Sequence, residues 1–237
     1  MLRSLALASA LLAPRVVDAT CAVANPKPFV LTPPNTVIED GGGVLVMSTG
    51  YPERDRDVAA EPTWGFVGAG KRVKPTIDVL APGLDVYRLP DSSASEVVLE
   101  SGTHARIVAV RRSAVRDASR LPAPVVQSID TIEDFTNPRF QSVVTTVHLP
   151  TPAPAGAAML VIYRVDEHGA RKPVAFGAVR DGDRDVIVYH SAHCTIQPYG
   201  TELPAVGTRA VVAWIDRSGR ASAPSKAVDI VIGKSSR

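Results

Sequence analysis

The feature that most constrains the fold is a pair of alternating apolar runs in residues 208–232, TRAVVAWIDRSGRASAPSKAVDIVI. Side chains of an extended strand alternate between two faces, so Val212 and Trp214 share one face, and Trp214 is expected in the core. Asp216 and Gly219 separate the two runs, because Asp hydrogen-bonds to its own backbone and Gly accepts a positive φ. The segment therefore predicts an antiparallel β-hairpin.

The hairpin sequence resembles a known class of domain. The ending VVAWIDRSGRASAPS, followed by an apolar strand, is similar to the last two strands of bacterial secreted immunoglobulin-like and fibronectin type III-like β-sandwich domains. A gapless alignment of residues 102–113 with residues 207–218 suggests two copies, because the two segments lie about one such domain apart. The two segments are then predicted to be the penultimate strands of two domains. One continuous sandwich is the alternative.

The chain of 237 residues has room for this arrangement. We expect an all-β fold with two tandem immunoglobulin-like (fibronectin III-like) antiparallel β-sandwiches after a signal peptide. The expected division is a signal peptide at residues 1–19, an N-terminal sandwich at 20–117, a proline-containing linker at 118–124 and a C-terminal fibronectin III-like sandwich at 125–237.

Short apolar runs between turn residues locate the predicted strands. In the second sandwich they are residues 125–129, 142–149, 157–165, 173–179, 186–189, 208–215 and 226–232. In the first sandwich they include residues 44–47, 64–67, 76–80, 86–89 and 96–99. Residues 166–169 and 181–183 are predicted to be hairpin turns. The candidate helix at residues 131–135 is too short to alter this fold.

The N-terminus has the pattern of an export signal. Arg3 gives a positive start, residues 5–13 are apolar apart from Ser9, and Val17-Asp18-Ala19 fits a cleavage site that would leave Thr20 as the first mature residue. This nine-residue segment is too short to span a bilayer, which takes about 20 residues in a helix. We expect an exported protein that is periplasmic, at the cell surface or secreted, with no membrane span. The alternative is a buried N-terminal helix.

Cys21 and Cys194 are the two cysteines of the chain. In an oxidising compartment an even pair favours a disulfide, which would tie the mature N-terminus to a loop of the second sandwich. The alternative for Cys21 is a lipid anchor, although the preceding Asp18-Ala19-Thr20 differs from the usual Leu-Ala-Gly.

The densest set of metal-ligand side chains is His190-Ser191-Ala192-His193-Cys194. Two imidazoles suit Zn²⁺ or Cu²⁺, but further ligands must come from elsewhere, and a disulfide at Cys194 would remove the thiolate. His190 and His193 are therefore the candidate metal ligands. The competing interpretation is a disulfide-anchored loop beside two exposed histidines.

Two other patterns have simpler interpretations. Residues 65–71, GFVGAGK, match the glycine and lysine positions of a phosphate-binding loop, but Arg72 replaces the required hydroxyl and Pro75 interrupts the helix that should follow. Asp181-Gly182-Asp183-Arg184-Asp185 alternates carboxylates as calcium loops do, but it lacks enough oxygen ligands. A surface loop and a solvated turn are predicted.

Charge and motifs limit the function. The net charge is +2, and Lys and Arg are scattered among Asp and Glu, which argues against a nucleic-acid-binding surface. The sequence has neither a serine-nucleophile elbow nor a metalloprotease histidine motif, so no enzyme activity and no cofactor are expected. The first hypothesis is a non-enzymatic exported binding or structural module of the bacterial cell envelope or secretome, with an unknown protein or envelope partner. The second is a Cu/Zn-binding exported protein, and the third is a hydrolase with an unrecognised site.

Overall fold

A computed structural model describes residues 29–39, 41–47, 64–90, 94–100, 106–113, 121–134, 142–191 and 207–233. These residues form sixteen β-strands and no helix, which confirms the all-β prediction for this part of the chain. Residues 131–134 of the short helix candidate belong to a strand instead. No helix among the described residues is long and apolar enough to cross a bilayer.

The N-terminal strands form two sheets that face each other. The strands are β1 (Phe29–Val30), β2 (Val37–Glu39), β3 (Gly43–Met47), β4 (Gly65–Gly68), β5 (Lys71–Val73), β6 (Thr76–Ala81), β7 (Leu84–Arg88), β8 (Glu96–Glu100) and β9 (Arg106–Ser113). A four-stranded sheet has the order β1-β3-β7-β6, and a five-stranded sheet has the order β2-β9-β8-β4-β5. The core between them contains Ile38, Val44, Val46, Phe66, Val97, Leu99, Val108 and Val110.

The C-terminal strands form one seven-stranded sheet that folds over on itself. They are β10 (Ser128–Asp134), β11 (Ser142–His148), β12 (Ala157–Val165), β13 (Arg171–Ala178), β14 (Asp185–Ser191), β15 (Arg209–Asp216) and β16 (Val228–Ile232), in the order β13-β12-β15-β16-β10-β11-β14. Strand β16 joins the two halves of this folded-over sheet. Val228 and Asp229 pair antiparallel with β15, and the next three residues pair parallel with β10. Trp214 lies in the enclosed core at 3% exposure, which confirms its predicted burial.

All seven strands predicted for the C-terminal part are present, but two details were wrong. The first strand is Ser128–Asp134 rather than residues 125–129, because residues 121–127 remain outside the sheet. Residues 181–183 do not form a hairpin turn, since they connect β13 and β14, which lie at opposite ends of the sheet order. In the N-terminal part the predicted strands are present, and β2 and β5, each of three residues, were not predicted.

The aligned segments 102–113 and 207–218 do not contain equivalent strands, so that prediction was wrong. Strand β15 lies between two antiparallel neighbours, β12 and β16. Strand β9 lies between antiparallel β8 and parallel β2. Among the described strands, β9 therefore corresponds in position to β16, which also has one antiparallel and one parallel neighbour.

A third apolar core joins the two sets of sheets. The outer face of the four-stranded sheet packs against the outer face of β12, β13 and β15. The core contains Leu45, Ala81, Leu84, Val86, Met159, Val161, Phe176 and Ile215. Strand β15 is thus buried on both faces, with Trp214 in one core and Ile215 in the other. The N- and C-terminal sheets consequently share buried surface rather than only a connecting segment.

Candidate functional site

The residues predicted to bind metal or form a disulfide are described only in part. His190 lies in β14, where its backbone pairs with Val143 of β11. His193, Cys194 and Cys21 lie outside the described residues. The metal site and the disulfide therefore remain predictions.

The glycine-lysine run at residues 65–71 forms a β-hairpin. Gly65–Gly68 is strand β4, and Ala69 and Gly70 make the turn with φ angles of +51° and +73°. A side chain at position 65 would require the Arg72 side chain on the paired strand to move. Because a strand and not a helix follows the turn, this segment lacks the helix N-terminus that a phosphate-binding loop uses.

The acidic run at residues 181–185 forms the predicted solvated turn. The Asp183 carboxylate accepts a hydrogen bond from the Arg180 amide at 2.8 Å, and Gly182 has a φ of +89°. Asp183 thus stabilises the turn and Asp181 lies within it, whereas Asp185 is the first residue of β14. In the described part of the chain, no group of three or more His, Cys, Asp or Glu side chains is arranged to hold a metal ion.

Polar contacts between the two sets of sheets lie at the turn after β15, residues 216–220. The Asp216 carboxylate accepts hydrogen bonds from the amides of Ser218 and Arg220, at 2.8 and 2.9 Å, and so fixes the turn. The turn then contacts the N-terminal sheets through its carbonyl groups. The Ser218 carbonyl accepts from the Gly43 amide at 2.8 Å, and the Arg217 carbonyl accepts from the Thr32 hydroxyl at 3.2 Å.

An ion-pair network reinforces this contact. The Arg220 guanidinium bonds to Asp216 in its own turn at 2.8 Å and to Glu39 of β2. Partial burial alone would lower the pKa of Arg220, but the hydrogen bonds and charges of Asp216 and Glu39 outweigh it and raise the pKa above its usual value. Arg220 therefore stays charged, and the cross-link persists wherever both carboxylates are ionised.

The turn of the closing hairpin is thus used for internal packing. The predicted turn between the two apolar runs is present, but it is covered by the backbone of β3 and by Val86 of β7. No family model matches the chain, and no curated protein matches it.

A second polar cluster lies on the outer face of β10, β11 and β14. His148 Nδ1 lies 2.6 Å from Asp185 Oδ1, and His148 Nε2 lies 3.3 Å from Asp130 Oδ2. His148 is directly opposite Asp185 in the sheet, and Asp130 is its diagonal neighbour on the other side. Asp130 Oδ1 is buried and has no hydrogen-bond partner.

Sequence reasoning missed this cluster. Its members are far apart in the chain and form no short motif, so only the strand register brings them together. The available signal was that each residue lies in a predicted strand or at its edge. That signal does not specify which strands pair.

Proposed function

We propose that the chain is a non-enzymatic exported module of the bacterial cell envelope or secretome, in which two joined sandwiches supply a rigid binding surface or spacer. The observation that supports this proposal is the third core, which buries Leu45 and Val86 of one set of sheets against Phe176 and Ile215 of the other. Burial of apolar surface on both sides of a junction opposes relative movement of the two parts. Loops away from the junction remain available for a partner.

We also propose that both sandwiches are immunoglobulin-like, with the division at residues 20–117, 118–124 and 125–237. The strand orders favour this interpretation. In the C-terminal part, β10-β11-β14 faces β13-β12-β15-β16, and the last strand returns parallel to the first. In the N-terminal part, β9 runs parallel to β2 in the same way. Seven strands in two facing sheets are the usual number for such a domain.

Export and the disulfide belong to the same proposal. Expression of the full chain in a bacterial host should yield a mature protein that begins near Thr20, in the periplasm or the medium. Peptide mass mapping without reduction should give one peptide pair linked through Cys21 and Cys194. An uncleaved N-terminus on a cytoplasmic protein would contradict export, and a lipid on Cys21 would contradict the disulfide.

A binding function can be tested with the purified mature chain as bait. Chemical cross-linking in envelope and culture-fluid fractions should recover the same partner with the wild type and with Gly169→Ala, whose turn is exposed. Recovery should fall with Gly219→Ala, which disturbs the junction between the sandwiches. If none of the three baits recovers a partner, the binding role is wrong and only a spacer role remains.

The alternative function is metal binding by His190 and His193. Strand β14 ends at Ser191, so His190 is the last residue but one of the strand. Calorimetric titration with Cu²⁺ and Zn²⁺ would compare the wild type with the double variant His190→Ala/His193→Ala. Equal heats from the two proteins would exclude these histidines as the ligands.

A further inference from the structure

The cluster around His148 has the arrangement of a metal ligand supported by an outer carboxylate. Asp185 Oδ1 lies 2.6 Å from His148 Nδ1, close enough for a short hydrogen bond to a charged oxygen. With Nδ1 as the donor, the lone pair of a neutral imidazole is on Nε2. The Asp185 contact therefore directs the free nitrogen toward Asp130, as carboxylates do behind metal-bound histidines.

The distance between His148 Nε2 and Asp130 Oδ2 is compatible with two ligands of one metal ion. It is 3.3 Å, longer than the roughly 2.7–2.9 Å that is usual for a hydrogen bond between charged groups. Two ligand atoms that each lie about 2.0–2.1 Å from a tetrahedral metal ion are about 3.3 Å from each other. The two atoms are thus spaced as ligands of one ion are.

Asp130 provides an independent observation. Its Oδ1 atom is buried without a hydrogen-bond partner, although a buried carboxylate oxygen ordinarily has a donor or a cation beside it. The rest of the site is open, since the His148 and Asp130 side chains are 35% and 27% exposed. An ion could reach the Oδ2 and Nε2 atoms from solvent, and water could complete its coordination.

We propose that His148 Nε2 and the Asp130 carboxylate bind a divalent transition metal, Zn²⁺ or Cu²⁺, and that Asp185 positions the imidazole. Imidazole and carboxylate ligands suit both metals. Binding to them leaves the oxidation state of the metal ion unchanged. The site joins β10 to β11, and through Asp185 to β14. It uses neither His190 nor His193 as a ligand and does not depend on the proposed function.

The test uses the full mature chain with His190→Ala and His193→Ala, so that these two histidines cannot contribute. Zn²⁺ is titrated by calorimetry, and Cu²⁺ is followed by electron paramagnetic resonance, which reports nitrogen ligands. We expect one bound ion with one imidazole nitrogen for this background protein. His148→Gln should abolish the nitrogen signal, and Asp185→Asn should weaken binding about 10–100-fold.

His168→Gln is the matched control, because His168 is 83% exposed in the turn after β12 and has Glu167 beside it. Its titration should equal that of the background protein. Far-ultraviolet circular dichroism checks that His148→Gln still folds. The proposal is overturned if the background protein binds no ion, or if His148→Gln binds with unchanged affinity. An unchanged affinity in Asp185→Asn would remove only its positioning role.

Discussion

At the scale of single residues, two turns of the same chemistry have different roles. Asp166 and Asp216 each accept hydrogen bonds from the amides two and four residues later, and each turn contains a glycine with φ above +70°. The first turn, with Gly169, has open space around the glycine. In the second turn, a Cβ at Gly219 would lie 2.6 Å from a methyl group of Val86.

This pair of turns gives a matched prediction. Gly169→Ala should destabilise the protein by about 1–2 kcal/mol, the usual effect of placing a non-glycine residue in the left-handed region. Gly219→Ala should add overpacking against Val86 and destabilise by about 2–5 kcal/mol in total. Urea unfolding monitored by tryptophan fluorescence measures both variants. Equal losses of stability would show that Gly219 is not packed against β7.

Tyr163 gives a prediction for alkaline pH. Burial raises the pKa of the Tyr163 hydroxyl above its usual value of 10.0, and the positive charge of Arg171 opposes part of that rise. The folded state therefore holds the proton more tightly than the unfolded state does. The resulting stability is fully present below about pH 10 and is lost as the pH rises through the raised pKa of the folded state.

The variant Tyr163→Phe removes this contribution. The unfolding free energy of the wild type minus that of Tyr163→Phe should be constant at about pH 7–9 and should fall above about pH 10. Urea unfolding at a series of pH values provides the measurement. Parallel pH profiles for the two proteins would contradict a buried, proton-retaining hydroxyl.

Residue-scale predictions from the sequence succeeded where one local pattern was enough. Trp214 was placed in the core by alternation, and the structure confirms it. Trp64 is only partly buried and meets Tyr87 edge to face, with ring centroids 5.4 Å apart, so it borders the first core rather than filling it. The His148 cluster could not be predicted, because its geometry depends on the pairing of three strands.

At the scale of elements, the segment between the turn and β16 replaces regular pairing with serine hydroxyls. Trp214 donates its amide to Ser222 Oγ, and Val212 donates its amide to Ser225 Oγ, both at 3.0 Å. The two serine amides in turn donate to the carbonyls of the same two residues, at 2.9 and 2.8 Å. The segment around Pro224 is thereby attached to β15, although Pro lacks an amide donor.

The serine contacts can be tested by removing each hydroxyl. Ser222→Ala or Ser225→Ala leaves a buried amide of β15 without its acceptor and should cost about 1–3 kcal/mol each. Ser95→Ala is the matched control, because Ser95 is exposed just before β8, and it should change stability by less than about 0.5 kcal/mol. Thermal unfolding of the three variants measures this. If Ser222→Ala and Ser225→Ala both leave the stability unchanged, water replaces the hydroxyls as the acceptor of these amides.

The strands were more predictable than their arrangement. Alternation and turn residues gave the seven C-terminal strands, because each pattern is contained in one short segment. Strands of three residues, such as Lys71–Val73, contain too few positions to show alternation. Pairing order was beyond the sequence, and for that reason the turn at 181–183 and the alignment of 102–113 were misinterpreted.

At the scale of the whole molecule, the third core makes the two sets of sheets depend on each other. The sequence contained a signal for it, since β15 is apolar on both faces, with Val212 on one and Val211 and Ile215 on the other. That signal indicates burial on both sides of a strand. It does not identify the covering surface, because Leu45 and Val86 lie more than a hundred residues away.

We expect the described core to unfold in one cooperative transition. Calorimetric and van't Hoff enthalpies of the wild type should agree. The double variant Leu45→Ala/Phe176→Ala weakens the third core and should separate the unfolding into two transitions. Phe66→Ala, within the first core, is the control: it should lower stability by about 3–5 kcal/mol without adding a transition related to the junction. Two transitions in the wild type would contradict this coupling.

The buried turn at residues 216–220 also affects how the protein can be engineered as a display scaffold. Foreign peptide epitopes are usually inserted at hairpin tips, where added residues extend into solvent. An insertion between Arg217 and Ser218 would push the chain into Thr32 and Gly43, whose hydrogen bonds hold the tip in place. The equivalent position between Glu167 and His168 has the same backbone turn and faces solvent. It is the better of the two tips for carrying such an insert.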